Sequence, residues 1–376
     1  MLRPWFKLVL LLTVVFAMSV WANIVSDGQQ RRARIEASKL VSFTPHEILP
    51  EHIAIVELLL PGSKSPVKYV RDELGWRIST YRNAFAVTDG VEGLIKSALN
   101  GRGLPVGTEA TNDVHFGLLP HKVLTVRLGD AQQTPVLELL AGDIPPGQQQ
   151  DECYVLVNGQ PTVYLFTENL WRALGAPLPR GLPPLADEHV FARALHVGTP
   201  KRLTFAGERV PEVTQITRTD LPIDPKSMDP RRGREQKPTV EWHGTFADGR
   251  RELLDDAKMG PYVHGLISLK FEELLGELSP RDAERLEMDN PLWSAILEQD
   301  KGESFTLVMS RIQAGQQRTV VNMATKQMFS ITNETADTLL DVPVVVKTEE
   351  EDQGSETDAG EAQTEDSGQA AELRNR

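Results

Sequence analysis

Residues 153–174 read CYVLVNGQPTVYLFTENLWRAL, and residues 318–339 read RTVVNMATKQMFSITNETADTL. The two stretches align without a gap at a constant offset of 165 positions. Aligned pairs include Val155 with Val320, Tyr164 with Phe329, Phe166 with Ile331, Thr167 with Thr332 and Leu174 with Leu339. Each stretch has the pattern of a strand, a turn, a second strand and a helix start. Such a recurrence predicts two related β-rich units, and it is more typical of a scaffold than of a catalytic centre.

The predicted fold belongs to the α+β class. It consists of two tandem related units after an N-terminal apolar helix, and each unit is a mostly antiparallel sheet with one or two packed helices. Trp76 and Trp242, at an offset of 166, extend the correspondence beyond the quoted stretches. Helical spacing of apolar residues recurs at 86–99 and 262–275, which predicts one helix in each unit.

Strands are predicted where β-branched and aromatic residues cluster between turn signals. They are Ile53–Leu60, Val67–Arg71, Trp76–Ser79, Val123–Leu128, Val136–Ala141, the hairpin Cys153–Phe166, Arg202–Ala206, Val213–Thr219, Thr239–Phe246, Phe305–Ile312 and Arg318–Ile331. Residues 101–114 contain three glycines and one proline, and they are predicted to form a loop.

The clearest domain boundary lies at 175–187, GAPLPRGLPPLAD, a stretch with four prolines and little periodicity. We therefore predict a first α+β unit at 46–175, a Pro-rich linker at 176–199 and a second α+β unit at 200–346. Each unit has the length of an ordinary domain, about 100–150 residues, and can bury a core of its own.

The N-terminus has the pattern of an export signal. Arg3 and Lys7 precede the apolar run 8–20, LVLLLTVVFAMSV, which suits the hydrophobic region of a secretory signal. Val20-Trp21-Ala22 offers small residues at the −3 and −1 positions of a cleavage site, so cleavage after Ala22 is one possible outcome.

The same segment could instead remain as an anchor. The span 5–25 would form roughly 31 Å of helix, which is enough to cross a bilayer. Residues 1–25 are therefore predicted to be a signal peptide or a membrane anchor, and the polar stretch 26–45 a juxtamembrane stalk. The predicted location is the inner membrane, with a single pass and most of the chain in the periplasm; secretion into the periplasm after cleavage at Ala22 is the alternative.

The net charge of −13 is unevenly distributed. Residues 347–376 contain ten acidic residues against three basic ones, so the tail alone accounts for −7. With no aromatic residue and few apolar ones, the tail is predicted to be disordered. The rest of the chain is only mildly acidic, which argues against a nucleic-acid-binding surface.

Catalytic motifs are weak or missing. Cys153 is the only cysteine, so we expect a buried structural thiol with no intrachain disulfide and no Cys-based metal site. Ser65 and Lys68 have the S-x-x-K spacing of penicillin-recognising enzymes, but the S-D-N and K-T-G partners are missing and Pro66 lies in a predicted turn. The eight histidines are scattered. We therefore predict no catalytic, cofactor-binding or metal-binding residue and no enzyme activity.

Two other features have competing interpretations. Four tryptophans could line a ligand groove, but three occupy matching or nearly matching positions in the two units, which favours core packing. They are Trp76, Trp171, Trp242 and Trp293. Three arginines in the Pro-containing loop 221–238 suit a solvated loop, or contact with anionic lipid or an acidic partner.

Several short motifs follow one another in a distinctive order. They are an opening strand ending near Leu60, the strand Gly75-Trp76-Arg77-Ile78, the helix Val87–Leu99, the signature Phe116-Gly117-Leu118 followed by Pro120, the strand end Ala141-Gly142-Asp143, and the hairpin end Val163–Phe166. In this order they resemble the bacterial family called domain of unknown function 4340. The resemblance covers about residues 40–200, and it reaches 200–341 only through the internal repeat. The acidic tail and loop 221–238 depart from the family pattern.

The resemblance implies a membrane-anchored extracytoplasmic protein, often associated with ABC-type export systems of the gliding-motility auxiliary kind, and it implies no catalytic residue. Together with the repeat, it predicts a non-enzymatic accessory or scaffold protein of an ABC-type transport or envelope complex. The expected partners are the membrane, through the N-terminal segment, and a membrane protein such as an ABC-type permease. No nucleic acid and no cofactor are expected. A periplasmic module that binds a small ligand or a glycan is the alternative, and a hydrolase assembled from distant residues is a third hypothesis.

Overall fold

The computed structural model describes residues 40–44, 47–108, 115–145, 151–178, 181–221 and 240–345. Two antiparallel β-sheets and a few short helices make up this part of the chain. The predicted N-terminal apolar helix, nearly all of loop 221–238 and the acidic tail lie outside the described residues. Within the described ranges, no helix is both long enough and apolar enough to cross a bilayer.

The first sheet has ten strands. They are Val41–Ser42 (β1), Ile55–Leu59 (β2), Val67–Asp72 (β3), Gly75–Ile78 (β4), Ala84–Phe85 (β5), Arg102–Thr108 (β6), Leu124–Gly129 (β7), Pro135–Ala141 (β8), Cys153–Val157 (β9) and Thr162–Phe166 (β10). Their order across the sheet is β1-β6-β10-β9-β8-β7-β2-β3-β4-β5.

The second sheet has nine strands. They are Arg202–Ala206 (β11), Val213–Asp220 (β12), Val240–Phe246 (β13), Arg251–Leu254 (β14), Glu273–Glu277 (β15), Trp293–Glu298 (β16), Ser304–Ala314 (β17), Gln317–Asn322 (β18) and Gln327–Thr332 (β19). Their order across the sheet is β15-β19-β18-β17-β16-β11-β12-β13-β14.

The two sheets have the same strand order once the short strand β1 is set aside. The order β6-β10-β9-β8-β7-β2-β3-β4-β5 in the first sheet matches the order β15-β19-β18-β17-β16-β11-β12-β13-β14 in the second. Each of these strands of the first sheet therefore has a counterpart in the second whose number is higher by nine. The register also agrees in the hairpins from which the repeat was read. Tyr164 lies opposite Val155, and Phe329 lies opposite Val320, so residues that align in sequence also pair across their strands.

Within the described part of the chain, five α-helices accompany the sheets. They are Thr88–Asn100 (α1), Leu170–Ala173 (α2), Asp256–Ile267 (α3), Pro280–Arg285 (α4) and Asn333–Leu340 (α5). Helix α1 connects edge strand β5 to β6 on the opposite side of its sheet, and α3 makes the same connection between β14 and β15. The buried residues of α1, including Val91, Leu94, Ile95 and Ala98, recur with the three- and four-residue spacing of one helix face.

The strands named above are all present within the described residues, with ends that shift by one to a few positions. A final short strand, also predicted at 342–346, does not form in the described residues 342–345. Six strands were not predicted: β1, β5, β6, β14, β15 and β16. The loop predicted at 101–114 is wrong where β6 forms, because this strand keeps its glycines and Pro105 near the edge of the sheet.

The predicted helix at 86–99 is confirmed, but the one at 262–275 is displaced. Helix α3 begins at Asp256, where the Asp255 side chain accepts a hydrogen bond from the backbone N–H of Ala257. It continues through Pro261 and ends at Ile267, and residues 273–277 form β15 instead. The apolar residues of β15 follow α3 after a few residues, so the sequence pattern extended the predicted helix too far.

A single large cluster of buried hydrophobic side chains includes residues from both sheets. Trp76, Trp242 and Trp293 all belong to it. Each sheet also has a small separate cluster, around Phe116 in the first and around Leu286 in the second. The predicted core role of these three tryptophans agrees with their burial.

The connection between the sheets is an ordered, buried strand-like segment at 185–190. Its first half pairs with the first sheet: the N–H of Val87 donates to Leu185 O at 2.8 Å, and the N–H of Asp187 donates to Phe85 O at 2.9 Å. Its second half pairs with residues just before β15. There the N–H of Val190 donates to the backbone carbonyl of residue 269, and the N–H of residue 271 donates to that of residue 188.

Side chains reinforce this junction. The Tyr69 hydroxyl donates to Pro184 O at 2.5 Å, and the buried Asn322 amide donates to Val190 O at 3.0 Å. Arg82, in the turn before β5, pairs with Glu273 at 2.9 Å and also donates to the Leu274 carbonyl. The stretch predicted as a Pro-rich linker at 176–199 therefore contains much of the contact between the two sheets.

Replacing Tyr69 with Phe should weaken this junction. The Pro184 carbonyl would lose its hydrogen bond, and we expect the free energy of unfolding in urea to fall by about 1–3 kcal/mol. Tyr154→Phe, on the other face of the first sheet, is the matched control and should cost less. Equal losses in both variants would contradict the assigned role of Tyr69.

The same variant should change the alkaline limit of stability. Burial raises the pKa of Tyr69 well above its ordinary value of 10, so the folded state retains a proton that the unfolded chain loses. This contribution is complete below pH 10 and declines as the pH rises further. Unfolding measured across alkaline pH should therefore show a shallower decline for Tyr69→Phe than for the unmodified protein.

Candidate functional site

The residues that sequence analysis considered for catalysis lie apart. Cys153 is buried, and burial raises the pKa of its thiol to about 11. Ser65 lies exposed in the turn before β3, while Lys68 pairs across strands with Glu57 at 3.2 Å. A lysine held in an ion pair is a poor general base for a nearby serine.

The histidines likewise do not converge. His52, His115 and His121 are exposed, and His46 lies outside the described residues. Among the residues that the structure describes, no group of three or more His, Cys, Asp or Glu side chains could hold a metal ion.

Two motifs that support the family resemblance meet on the outer face of the first sheet. The N–H of Asp143 donates to Phe116 O at 2.8 Å, and the indole N–H of Trp171 donates to Gly142 O at 2.7 Å. A Cβ atom added at Gly142 would lie 2.1 Å from Phe116 O. Gly117 has a positive φ of 69° beside the Asp143 side chain. The geometry gives these motifs a packing role.

Gly142→Ala tests that role. The added methyl group would collide with the Phe116 carbonyl, so we expect a loss of about 1–3 kcal/mol in the free energy of unfolding. Gly93→Ala is the control, because no described atom lies within 4 Å of its new methyl group and it sits inside helix α1. In the control, the free energy of unfolding should rise by about 0.5–1 kcal/mol. A Gly142→Ala protein as stable as the original protein would contradict the close packing of Gly142.

A cross-strand pair of arginine and tryptophan occurs once in each sheet. In the first sheet Arg71 lies opposite Trp76, and its guanidinium carbon is 5.1 Å from the ring centroid. The same guanidinium binds Glu92, the fifth residue of α1, at 2.8 Å and donates to Glu51 O. Glu92 therefore covers the space between the helix and the sheet.

The second sheet repeats this arrangement without the glutamate. Arg218 lies opposite Trp242, and its Nη1 donates to Thr199 O at 2.7 Å. The fifth residue of α3 is Gly260, which has no side chain to reach the guanidinium. No described atom lies within 4 Å of a Cβ added there.

As a result, an open groove separates α3 from strands β12 and β13. Its volume is about 630 Å³, within the range of about 300–1,000 Å³ usual for small-molecule sites. The side chains that line it include Arg218, Asp220, Val240, Trp242, Val263 and Ile267. We call this the α3 groove. Both the strands and the helix contribute aliphatic and charged side chains to its lining.

The guanidinium of Arg218 in the α3 groove is held in place by ion pairs. Nη2 of Arg218 pairs with Asp220 at 3.0 Å and with Asp300 at 2.8 Å. Its Nε is buried and has no hydrogen-bond partner among the described residues. The guanidinium is therefore fixed in orientation while one donor remains unused.

Sequence analysis did not single out Arg218 or Gly260. Trp242 was considered as a groove residue, and it does line the α3 groove, but only 3% of it is exposed. No usable sequence signal pointed to Gly260, because the helix was predicted at 262–275. Only the observed helix starts at Thr88 and Asp256 place Gly260 at the position of Glu92. Smaller cavities of about 310–320 Å³ lie between α3 and α5 and on the outer face of the first sheet.

No family model matches the chain, and neither a curated protein nor a solved structure matches it.

The burial of Cys153 gives a direct test of its structural role. With a pKa of about 11, roughly one thiol in a thousand is ionised at pH 8, and the Sγ atom is also buried. We expect Ellman's reagent to react with the native protein at least ~100-fold more slowly than with the protein in urea. Similar rates in both conditions would indicate an accessible, reactive thiol.

Proposed function

We propose that this protein is a non-enzymatic, membrane-anchored extracytoplasmic accessory or scaffold protein of an ABC-type transport or envelope complex. In this proposal residues 1–25 remain as a single-pass anchor in the inner membrane, and the bulk of the chain is periplasmic. The stalk predicted at 26–45 is shortened to the residues before Val41, because Val41 and Ser42 pair with β6 of the first sheet. Two tandem related α+β units at 46–175 and 200–346 form the body, and a permease-like membrane protein is the partner.

The observation that carries this proposal is the repeated strand order. Two sheets with the same order of nine strands, and with hairpins in the same register, favour descent from one duplicated unit. Because the segment 185–190 pairs with both sheets and the large core includes residues from both, the two proposed units present a fixed surface. A fixed surface of this kind suits a scaffold.

The remaining support comes from the sequence. The apolar run at 8–20 with basic residues before it suits export or anchoring. The motif order that resembles the domain of unknown function 4340 family adds the association with ABC-type export. The family motifs at Phe116 and Gly142 pack against each other, which is consistent with a structural role for both.

Deletion of residues 1–25 tests the anchor. We expect the shortened protein to fold and to remain in the soluble fraction after export with a cleavable signal, while the full chain sediments with membranes. Replacing 1–25 with an unrelated transmembrane helix should restore sedimentation. If the shortened protein still sediments with membranes, the anchor assignment is wrong.

The partner assignment needs a separate measurement. The tagged full-length protein would be purified from its native membranes in mild detergent, and co-purifying proteins identified by mass spectrometry. Stoichiometric recovery of a permease or an ATPase supports the accessory function. Recovery of the protein alone, from the soluble fraction and beginning at Asn23, would contradict it and favour a free periplasmic binding module.

A second candidate function is that of a periplasmic module binding a small ligand or a glycan. The α3 groove is the specific observation that favours it. Trp76 and Trp242 are buried, so neither presents an exposed ring on which a ligand could stack. This function and the accessory function are compatible, because the groove lies within one sheet-and-helix layer and leaves most of the surface free.

A further inference from the structure

The α3 groove differs from its counterpart in the first sheet at the fifth helix position and in the partners of the arginine. Arg71 binds the carboxylate of Glu92 and lies over the Trp76 ring. Arg218 binds Asp220 and Asp300 instead, and Gly260 has no side chain to reach it. What the two arginines share is a tryptophan on the opposite strand and a hydrogen bond donated to a backbone carbonyl. The first sheet thus closes this space from within, and the second leaves it open to another molecule.

The charges around Arg218 decide what that molecule can be. Asp220 and Asp300 already pair with its guanidinium, so two carboxylates surround one positive charge. A further anion would be repelled. A strongly apolar ligand would leave the buried Nε without a partner, which is unfavourable. A neutral ligand with hydrogen-bonding groups satisfies both conditions.

We propose that the α3 groove is a binding site for a neutral, hydroxyl-rich ligand, namely a saccharide. A hydroxyl oxygen accepts from Nε of Arg218, and the same hydroxyl donates its hydrogen to the Asp220 carboxylate. The Asp220 side chain is 49% exposed, so it can reorient toward the ligand hydroxyl as the ligand enters. The C–H face of the sugar packs on Val240 and Ile267, which are partly exposed.

The site belongs to the folded body and does not depend on the membrane anchor or on a permease. Failure of the accessory function would therefore leave this proposal standing, and the reverse also holds. The measurement uses full-length protein in a polyoxyethylene detergent, because alkyl glycoside detergents would present sugar headgroups to the groove.

The probes are three neutral disaccharides: maltose, cellobiose and N,N′-diacetylchitobiose. Digalacturonic acid is the acidic comparator, and binding is followed by saturation-transfer NMR with titration to obtain Kd. We expect at least one neutral disaccharide to bind saturably and more tightly than the acidic one. No saturable binding by any neutral disaccharide, or tighter binding of digalacturonic acid, would overturn the proposal.

Gly260→Glu then locates the site. The new side chain would lie over Arg218 as Glu92 lies over Arg71, and it should raise the Kd at least about tenfold. Gly265→Glu is the matched control: it places the same charge on the same helix, also with no described atom within 4 Å, but it lines the separate cavity between α3 and α5.

Both substitutions replace an exposed glycine in a helix, which by itself favours the helix. Gly260 also precedes Pro261, whose ring disfavours helical backbone for a preceding residue with a Cβ atom, so circular dichroism and the urea midpoint of each variant must show an intact fold before its Kd is compared. Loss of binding in Gly260→Glu with retention in Gly265→Glu supports the site. Unchanged binding in Gly260→Glu, or equal loss in both variants, would place the ligand elsewhere and overturn the assignment.

Discussion

The backbone pairing of residues 185–190 with both sheets is the constraint on which the arrangement of this molecule depends. A strand at a sheet edge has unpaired N–H and C=O groups, and burying them without partners is costly. Here one short segment satisfies the β5 edge with its first half and the residues before β15 with its second half. The prolines at 183–184 and the buried Asp187, whose carboxylate accepts from the N–H groups of His189 and Arg193, fix its path. The two sheets, each large enough to cover a core of its own, are thereby joined around one large hydrophobic cluster.

The same solution is used at the outer ends of the two sheets. The N–H of Asp255, at the start of α3, donates to Val345 O at 2.8 Å, just as the N–H of Val87 donates to Leu185 O. At the edge of the first sheet opposite β5, the short strand β1 pairs with the first residues of β6. The chain therefore covers sheet edges with the segments that lead into and out of each sheet. This limits uncontrolled edge-to-edge association, and it directs attention to surfaces other than strand edges as sites for partners.

Comparing corresponding positions of the two sheets separates what packing requires from what is free to change. Trp76 and Trp242 are both buried opposite an arginine, so this pair belongs to the shared framework. The fifth helix position lies at the rim between helix and sheet, outside the buried core. It holds Glu92 in one helix and Gly260 in the other. A groove can therefore open in the second sheet without loss of the buried contacts that hold the helix in place.

Local sequence by itself determined the central strands, the two hairpins with their register and the helix α1. Their signals are contained within short stretches: alternating β-branched and aromatic residues, Asn158-Gly159 at a turn, and apolar spacing along one helix face. Tertiary structure alone decided β6, which contains glycines and Pro105, and β15, which contains Gly276, because such segments become strands only when distant β10 and β19 pair with them. It also decided the junction and the α3 groove. Arg218, Trp242 and Gly260 lie far apart in sequence, and the groove exists because a side chain is missing where another helix has one, a difference that no local pattern records.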